Sequence, residues 1–111
     1  MAKYENYLRG DFDVILRAIT HGILEENISA SLENGSNYSS RGVRCAVRVY
    51  ERYSYWGSNR VSLTVTLLDD GERVFLSAIT AGGSQAVFFK LNTVGERRFL
   101  DRLVEIARRY Q

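Results

Sequence analysis

The residues most suggestive of chemistry are arginines and aromatic residues that alternate along one segment. Arg44, Arg48, Tyr50 and Arg52 occupy even positions within residues 43–55, and Trp56 follows directly. A strand places alternate side chains on one face, with arginines four residues apart separated by about 13 Å. Guanidinium groups bind phosphate or carboxylate through paired hydrogen bonds, and aromatic rings stack on bases. One hypothesis is therefore an anion or nucleic-acid binding module.

The charge balance favours a more ordinary interpretation of this segment. Residues 41–60 contain five arginines and one glutamate, yet the whole chain has a formal net charge of only +2. Nucleic-acid binding domains are usually strongly basic. A solvated strand face, balanced by acidic residues of neighbouring elements, is therefore the alternative to a binding surface.

Catalytic and metal chemistry has little support in the residue types. The chain has one His and one Cys, which leaves no Cys/His metal set and no internal disulfide. Cys45 alternates with valines and is predicted to be a buried, protonated thiol. Ser84 follows two glycines but lacks the G-x-S-x-G nucleophile elbow. We therefore predict no catalytic residue, no metal site and no cofactor, and favour a non-enzymatic protein.

Length and composition predict one folded domain spanning residues 1–111. The sequence is 45% hydrophobic and 25% charged, close to ordinary globular usage. No window approaches the roughly 18 apolar residues of a membrane span, and the N-terminal residues lack the apolar core of a secretion signal. A cytoplasmic location without membrane contact is therefore expected.

Hydrophobic periodicity places a helix near each end of the chain. Asp11 is a predicted N-cap, followed by apolar residues at helical spacing from Phe12 to Ile23. Thr93 and Glu96 match a capping box, which predicts a last helix running to about Tyr110.

Between these helices the apolar residues recur with a period of two, as in strands. The predicted strands cover about 28–33, 43–55, 61–67, 72–81 and 84–91, with 3–8 as a possible additional strand and 34–42 as a loop. Apolar residues occupy odd positions in 43–55 and in 61–67, so we predict odd-to-odd pairing between these strands. The prediction is an α+β two-layer sandwich, with an antiparallel sheet of about five strands and the order (β)-α-β-β-β-β-β-α. A curled sheet gripping the last helix is the variant.

The last two predicted strands are apolar on both faces, which one layer of helices does not explain. Phe75 and Ile79 oppose Val74 and Leu76, and the next segment, including Phe88, has the same character. Exposed apolar patches of this kind mark interaction sites. The favoured hypothesis is self-association, as a homodimer, or partner binding through Phe75, Ile79 and Phe88, with Arg48, Tyr50 and Arg52 beside them. A third hypothesis is a small-molecule pocket between a curled sheet and the last helix, lined by Tyr53, Tyr55, Phe89 and Phe99.

Four segments, GDFD, SASLENGS, VRCAVRVYERYSY and FLSAITAGGSQAVFFK, resemble those of small single-domain bacterial proteins of unknown function. The similarity covers nearly the whole chain, including the closing helix. It implies a single domain in a bacterial cytoplasm. It implies no activity, cofactor or catalytic residue.

Overall fold

The structure is a computed structural model that describes residues 1–26, 29–53, 60–82 and 89–111, without the side chains of residues 26 and 89–98. The fold is α+β, as predicted, with an N-terminal and a C-terminal helix and an antiparallel sheet of five strands. The elements in chain order are β1 (Lys3–Leu8), α1 (Phe12–Glu26), β2 (Ala30–Ser40), β3 (Val43–Tyr53), β4 (Arg60–Asp69), β5 (Val74–Gly82) and α2 (Phe89–Arg108).

The sheet is open and has the strand order β1-β5-β4-β3-β2. Every neighbouring pair is antiparallel. The additional N-terminal strand is therefore real, and it forms one edge of the sheet beside β5, while β2 forms the other edge. The edge strands β1 and β2 do not pair with each other, so the described strands form an open sheet and not the curled variant.

Both helices pack on one side of the sheet. The carboxylate of Asp11 accepts a hydrogen bond from the Val14 amide at 3.0 Å, which confirms the predicted N-cap of α1. The core fills the space between helices and sheet, with fully buried residues that include Ile15, Ile19, Ile23, Leu63, Leu67, Leu76, Phe99, Leu103 and Ile106. Neither described helix combines the length and apolar character that a membrane span requires.

The two helices cross closely at Gly22. A Cβ at this position would lie 2.1 Å from Cδ1 of Ile106, a side chain that is fully buried. Arg102 of α2 also donates from Nε to the carbonyl of Gly22 at 3.3 Å. The missing side chain of Gly22 therefore sets the distance between α1 and α2.

The loop predicted at 34–42 is wrong, because β2 continues through Ser40. A two-residue turn then joins β2 to β3, with Ser40 paired to Val43. Arg41 and Gly42 both have positive φ, 51° and 81°, as the tightest hairpin turns require. Serine, asparagine and glycine have low strand propensity, but main-chain pairing with β3 outweighs that preference.

The strand predicted over 84–91 is also contradicted where the structure describes it. Helix α2 begins at Phe89, so Phe89 and Leu91 are helical and Thr93 lies inside the helix rather than at its cap. Residues 83–88 lie outside the described part of the chain. A short apolar run is compatible with either a strand or a buried helix, so periodicity alone did not separate them.

The predicted register between the two central strands is wrong by one residue. Even positions of β3 pair with odd positions of β4, as in Tyr50 with Leu63 and Ala46 with Leu67. The face toward the helices, here called the inner face, therefore carries Ala46 and Tyr50 with the arginines of β3. The more apolar odd positions of β3 lie on the opposite face, here called the outer face.

Candidate functional site

The predicted arginine row lies on the inner face, at the margin of the helical layer, instead of on a separate solvated face. Arg44 forms a two-pronged ion pair with Asp13 of α1, with N–O distances of 3.0 and 2.8 Å. Its guanidinium also lies 4.4 Å from the ring centroid of Phe12. The hydrogen bond from Arg44 lowers the pKa of Asp13 below its ordinary value. Arg44 thus attaches β3 to the first turn of α1.

Arg48 lies flat across the neighbouring strand β2. It donates to the carbonyl of Ser36 at 3.2 Å and to the side-chain oxygen of Asn37 at 2.9 Å. Gly35 makes this possible, because a Cβ there would lie 3.0 Å from Cδ of Arg48. The guanidinium of Arg48 therefore holds the β2–β3 hairpin and has intramolecular acceptors.

Tyr50 is fully buried, and its hydroxyl shares a 2.8 Å hydrogen bond with that of Thr20 on α1. Burial raises the pKa of the Tyr50 phenol. Arg52 is partly buried on the same face, and Trp56 lies outside the described residues. The structure therefore keeps Arg44, Arg48, Tyr50 and Arg52 on one face, where the first three join elements of the fold.

The outer face carries an apolar row that crosses all five strands. Pairing between successive strands aligns one residue from each, in the order Tyr7, Phe75, Leu68, Cys45, Tyr38. The rings of Tyr7 and Phe75 lie 5.4 Å apart, and the guanidinium of Arg73 lies 3.7 Å from the Tyr7 centroid. Tyr7 and Tyr38, at the two ends, are 46% and 68% exposed. We call these five residues the aromatic row.

A second row on the same face is shorter and mixed. Ile79 on β5 pairs with Thr64 on β4, which pairs with Val49 on β3. Ile79 is 40% exposed, and Val49 is also partly exposed. The outer face is therefore apolar on both sides of β4, with threonine at its centre.

Charged residues lie near the margins of the outer face and are paired there. Lys3 and Glu5 of β1 are 3.8 Å apart. Arg60 donates to Glu51 at 3.0 Å and to the hydroxyl of Tyr53 at 3.2 Å. Between the two rows lie Ser77, Thr66 and Val47, and Ser77 donates a hydrogen bond to Glu5 at 2.8 Å. The outer face therefore combines apolar rows with hydroxyl side chains.

The predicted interface residues are placed as follows. Phe75 and Ile79 lie together on the outer face, while Phe88 is outside the described residues. The prediction that Arg48, Tyr50 and Arg52 lie beside them is wrong, because the β3–β4 register puts these three on the inner face. The prediction that Cys45 lies in the core is wrong, because it is partly exposed within the aromatic row. Sequence reasoning missed Tyr7, Leu68 and Tyr38, which no local pattern connects; only the cross-strand register aligns them.

Of the four residues predicted to line a pocket between sheet and last helix, the two whose side chains are described lie apart. Tyr53 is half exposed on the outer face, whereas Phe99 is fully buried under the helices. Tyr55 and the side chain of Phe89 lie outside what the structure describes. Elsewhere, an open cleft of about 660 Å³ lies beside Arg9, Asp69 and Arg73, with mixed charges in its lining. Among the described residues, no group of three or more His, Cys, Asp or Glu could hold a metal ion.

Comparison with known proteins defines the family of this chain but adds no activity. A search of curated proteins and a search of solved structures found no match. One family model matches residues 1–111, which is the entire sequence. The chain therefore belongs to the family of unknown function DUF6054.

Proposed function

We propose that this protein is a non-enzymatic module that self-associates through the outer face of its sheet, with a second copy of the chain as the occupant. The observation that supports this is the aromatic row, which spans the sheet from edge to edge. No described element packs over that row, whereas both described helices pack on the inner face. The setting expected from the family resemblance is the bacterial cytoplasm.

The size of the outer face is sufficient for a specific interface. Five strands of 6 to 11 residues, at about 3.3 Å per residue and about 4.8 Å spacing, form a face of roughly 700 Å². Stable protein interfaces bury at least about 600 Å² per partner. Two sheets packed face to face lie about 10 Å apart and interdigitate their side chains. Such packing would bury the aromatic row of both copies.

The arrangement of side chains about β4 favours a second copy over an unrelated partner. In the aromatic row, Tyr7 and Phe75 lie on one side of Leu68, and Cys45 and Tyr38 lie on the other. A twofold axis nearly parallel to β4 would place Phe75 against Cys45 of the other copy and tyrosine against tyrosine. The same axis would place Ile79 against Val49. A twofold interface needs this kind of self-complementary surface.

The experiment compares two apolar residues of similar exposure on opposite sides of the molecule. Ile79 on the outer face is 40% exposed, and Val14 on α1 is 46% exposed. We expect Ile79→Glu to lower the molar mass measured by light scattering after size-exclusion chromatography by at least half. Val14→Glu should leave the mass of the wild-type particle unchanged.

The thiol of Cys45 gives a second readout that does not depend on a substitution. Its reaction with an aromatic disulfide reagent should slow as protein concentration rises, because association covers the aromatic row. A wild-type mass of one chain at millimolar concentration contradicts the proposal. So does an equal response to the Ile79 and Val14 substitutions.

A further inference from the structure

The free edge of β2 has an unusual composition for an edge strand. Every residue from Ser31 to Ser40 is exposed. The segment 34–40, NGSNYSS, has no charged residue and no proline, and its pairing to β3 is regular. Natural edge strands usually carry charges, prolines or bulges that prevent further strand pairing. In β2 the bulge and the only charge, Glu33, precede this segment.

The direction of the Val47 carbonyl shows which backbone groups of β2 point away from the sheet. A Cβ on Gly35 would lie 2.9 Å from the Val47 oxygen, so this carbonyl points toward β2. Ser36 and Val47 are opposite each other and are therefore a hydrogen-bonded pair. Alternate residues, namely Gly35, Asn37 and Ser39, then direct N–H and C=O groups outward.

Only the first of these outward amides is covered by a described residue. The side-chain oxygen of Asn34 accepts a hydrogen bond from the Gly35 amide at 2.8 Å. Within the described part of the chain, no hydrogen bond engages the main chain of Asn37 or Ser39 on the outward side. Asn37 and Ser39 thus present backbone N–H and C=O groups outward at the spacing of a strand.

The opposite edge of the sheet is protected differently. Strand β1 has six residues and carries Lys3 and Glu5. The Tyr7 amide donates to the side-chain oxygen of Asn6 at 2.8 Å, and the Arg9 amide donates to the carbonyl of Tyr110. The short, charged β1 edge is therefore less suited to strand addition than the β2 edge.

We infer that β2 pairs in antiparallel fashion with β2 of a second copy, which would join two sheets into one continuous sheet. Pairing centred on Asn37 places only Ser, Asn, Gly and Tyr opposite one another between residues 34 and 40. It also brings Glu33 of one copy toward Arg41 of the other, so the nearest charges are opposite. This contact uses an edge and is independent of the outer face. In the outer-face pair the twofold axis follows β4, so the two β2 edges lie at opposite ends and the two contacts together build an open assembly of more than two chains.

The experiment separates the two contacts by substituting each alone and both together. Ser39→Pro removes one outward amide, and Ser39→Lys keeps the amide but adds an edge charge. We expect the wild type to have a mass above that of two chains by sedimentation equilibrium, rising with protein concentration, and Val14→Glu to match it. Ile79→Glu and each Ser39 variant should have the mass of two chains, because each keeps one of the two contacts. The Ile79→Glu/Ser39→Pro double variant should have the mass of one chain.

Hydrogen exchange of Ile79→Glu isolates the edge contact without a change in β2. The amides of Asn37 and Ser39 should exchange more slowly in concentrated than in dilute protein. The inference is overturned if Ile79→Glu is a single chain, or if both Ser39 variants keep the wild-type mass. If Ile79→Glu is a single chain and the wild type has two chains, the edge contact is overturned but the proposed function is still supported. A wild type of one chain overturns both.

Discussion

The two faces of this sheet differ in a way that their sequences do not suggest. The inner face of β3 carries Arg44, Arg48 and Arg52, yet it packs toward the helices. The outer face of the same strand carries Cys45, Val47 and Val49, and no described element covers it. Polarity along a single strand therefore did not identify the face that the helices bury.

Partners on other elements explain this inversion. Long arginine side chains can cover apolar surface with their methylene groups while the guanidinium reaches the rim of a layer. Arg48 does so over Gly35, whereas the guanidinium of Arg44 itself lies over the ring of Phe12 and pairs with Asp13. A strand at the margin of a helical layer can thus place arginines inward. Apolar residues that face outward then become the better candidates for binding another molecule.

The largest expected effect separates the two faces with adjacent leucines of β4. Leu67 is fully buried on the inner face, whereas Leu68 lies in the aromatic row on the outer face. We expect Leu67→Ala to lower the free energy of unfolding by about 2–5 kcal/mol, because it leaves a cavity in the core. In dilute protein, where chains are separate, Leu68→Ala should have a much smaller effect in urea denaturation. Equal losses would show that the outer face is covered within one chain.

A second prediction tests the layer that covers the inner face. Gly22→Ala should lower the free energy of unfolding by about 1–3 kcal/mol, because the added methyl group overlaps the side chain of Ile106. Helix propensity alone would favour alanine by about 1 kcal/mol, so the sign of the change is informative. The Gly22→Ala/Ile106→Val double variant removes the closest atom. The loss in its free energy of unfolding should be smaller than the sum of the losses in the two single variants.

The smallest expected effect concerns the charges at the rim of the inner face. The pKa of Asp13 is lowered by its hydrogen bond from Arg44, so ionised Asp13 stabilises the folded state above its ordinary pKa of 3.8. This contribution should be lost as pH falls below that value. Asp13→Asn should therefore reduce stability slightly at pH 7 and flatten its decline in acid. Denaturation midpoints measured between pH 2 and 7 test this.

Arg44→Met is the matched variant for the charge at Asp13. It should flatten the same acid decline, and adding Asp13→Asn to it should change little more. An acid decline that is unchanged in both single variants would contradict the role given to this ion pair.

Much of the fold was predictable because its signals are local. The cap at Asp11 and the apolar stripe of α1 both lie within one segment, and the structure confirms them. The β4–β5 turn is similar: the side chain of Asp70 accepts hydrogen bonds from the amides of Glu72 and Arg73. By contrast, residues 34–40 depend on pairing with β3 for their strand conformation, and the sequence suggested a loop.

The candidate site was predicted only in part. Phe75 and Ile79 were assigned to a second apolar face because alternation within one strand determines which residues share a face. Tyr7 and Tyr38 lie on strands at opposite edges of the sheet, and only the strand order places them in the same row. The inner location of the arginines likewise depended on a register that hydrophobicity alone predicted incorrectly.

By itself, the sequence determined an α+β domain with two amphipathic helices and strands that must lie in an antiparallel sheet. Period, caps and turns are properties of neighbouring residues, so they act before the chain is folded. The tertiary structure decided which face of β3 the helices cover, since that choice depends on ion pairs and packing between distant segments. It also assembled the aromatic row, because cross-strand neighbours are set by register and not by distance along the chain.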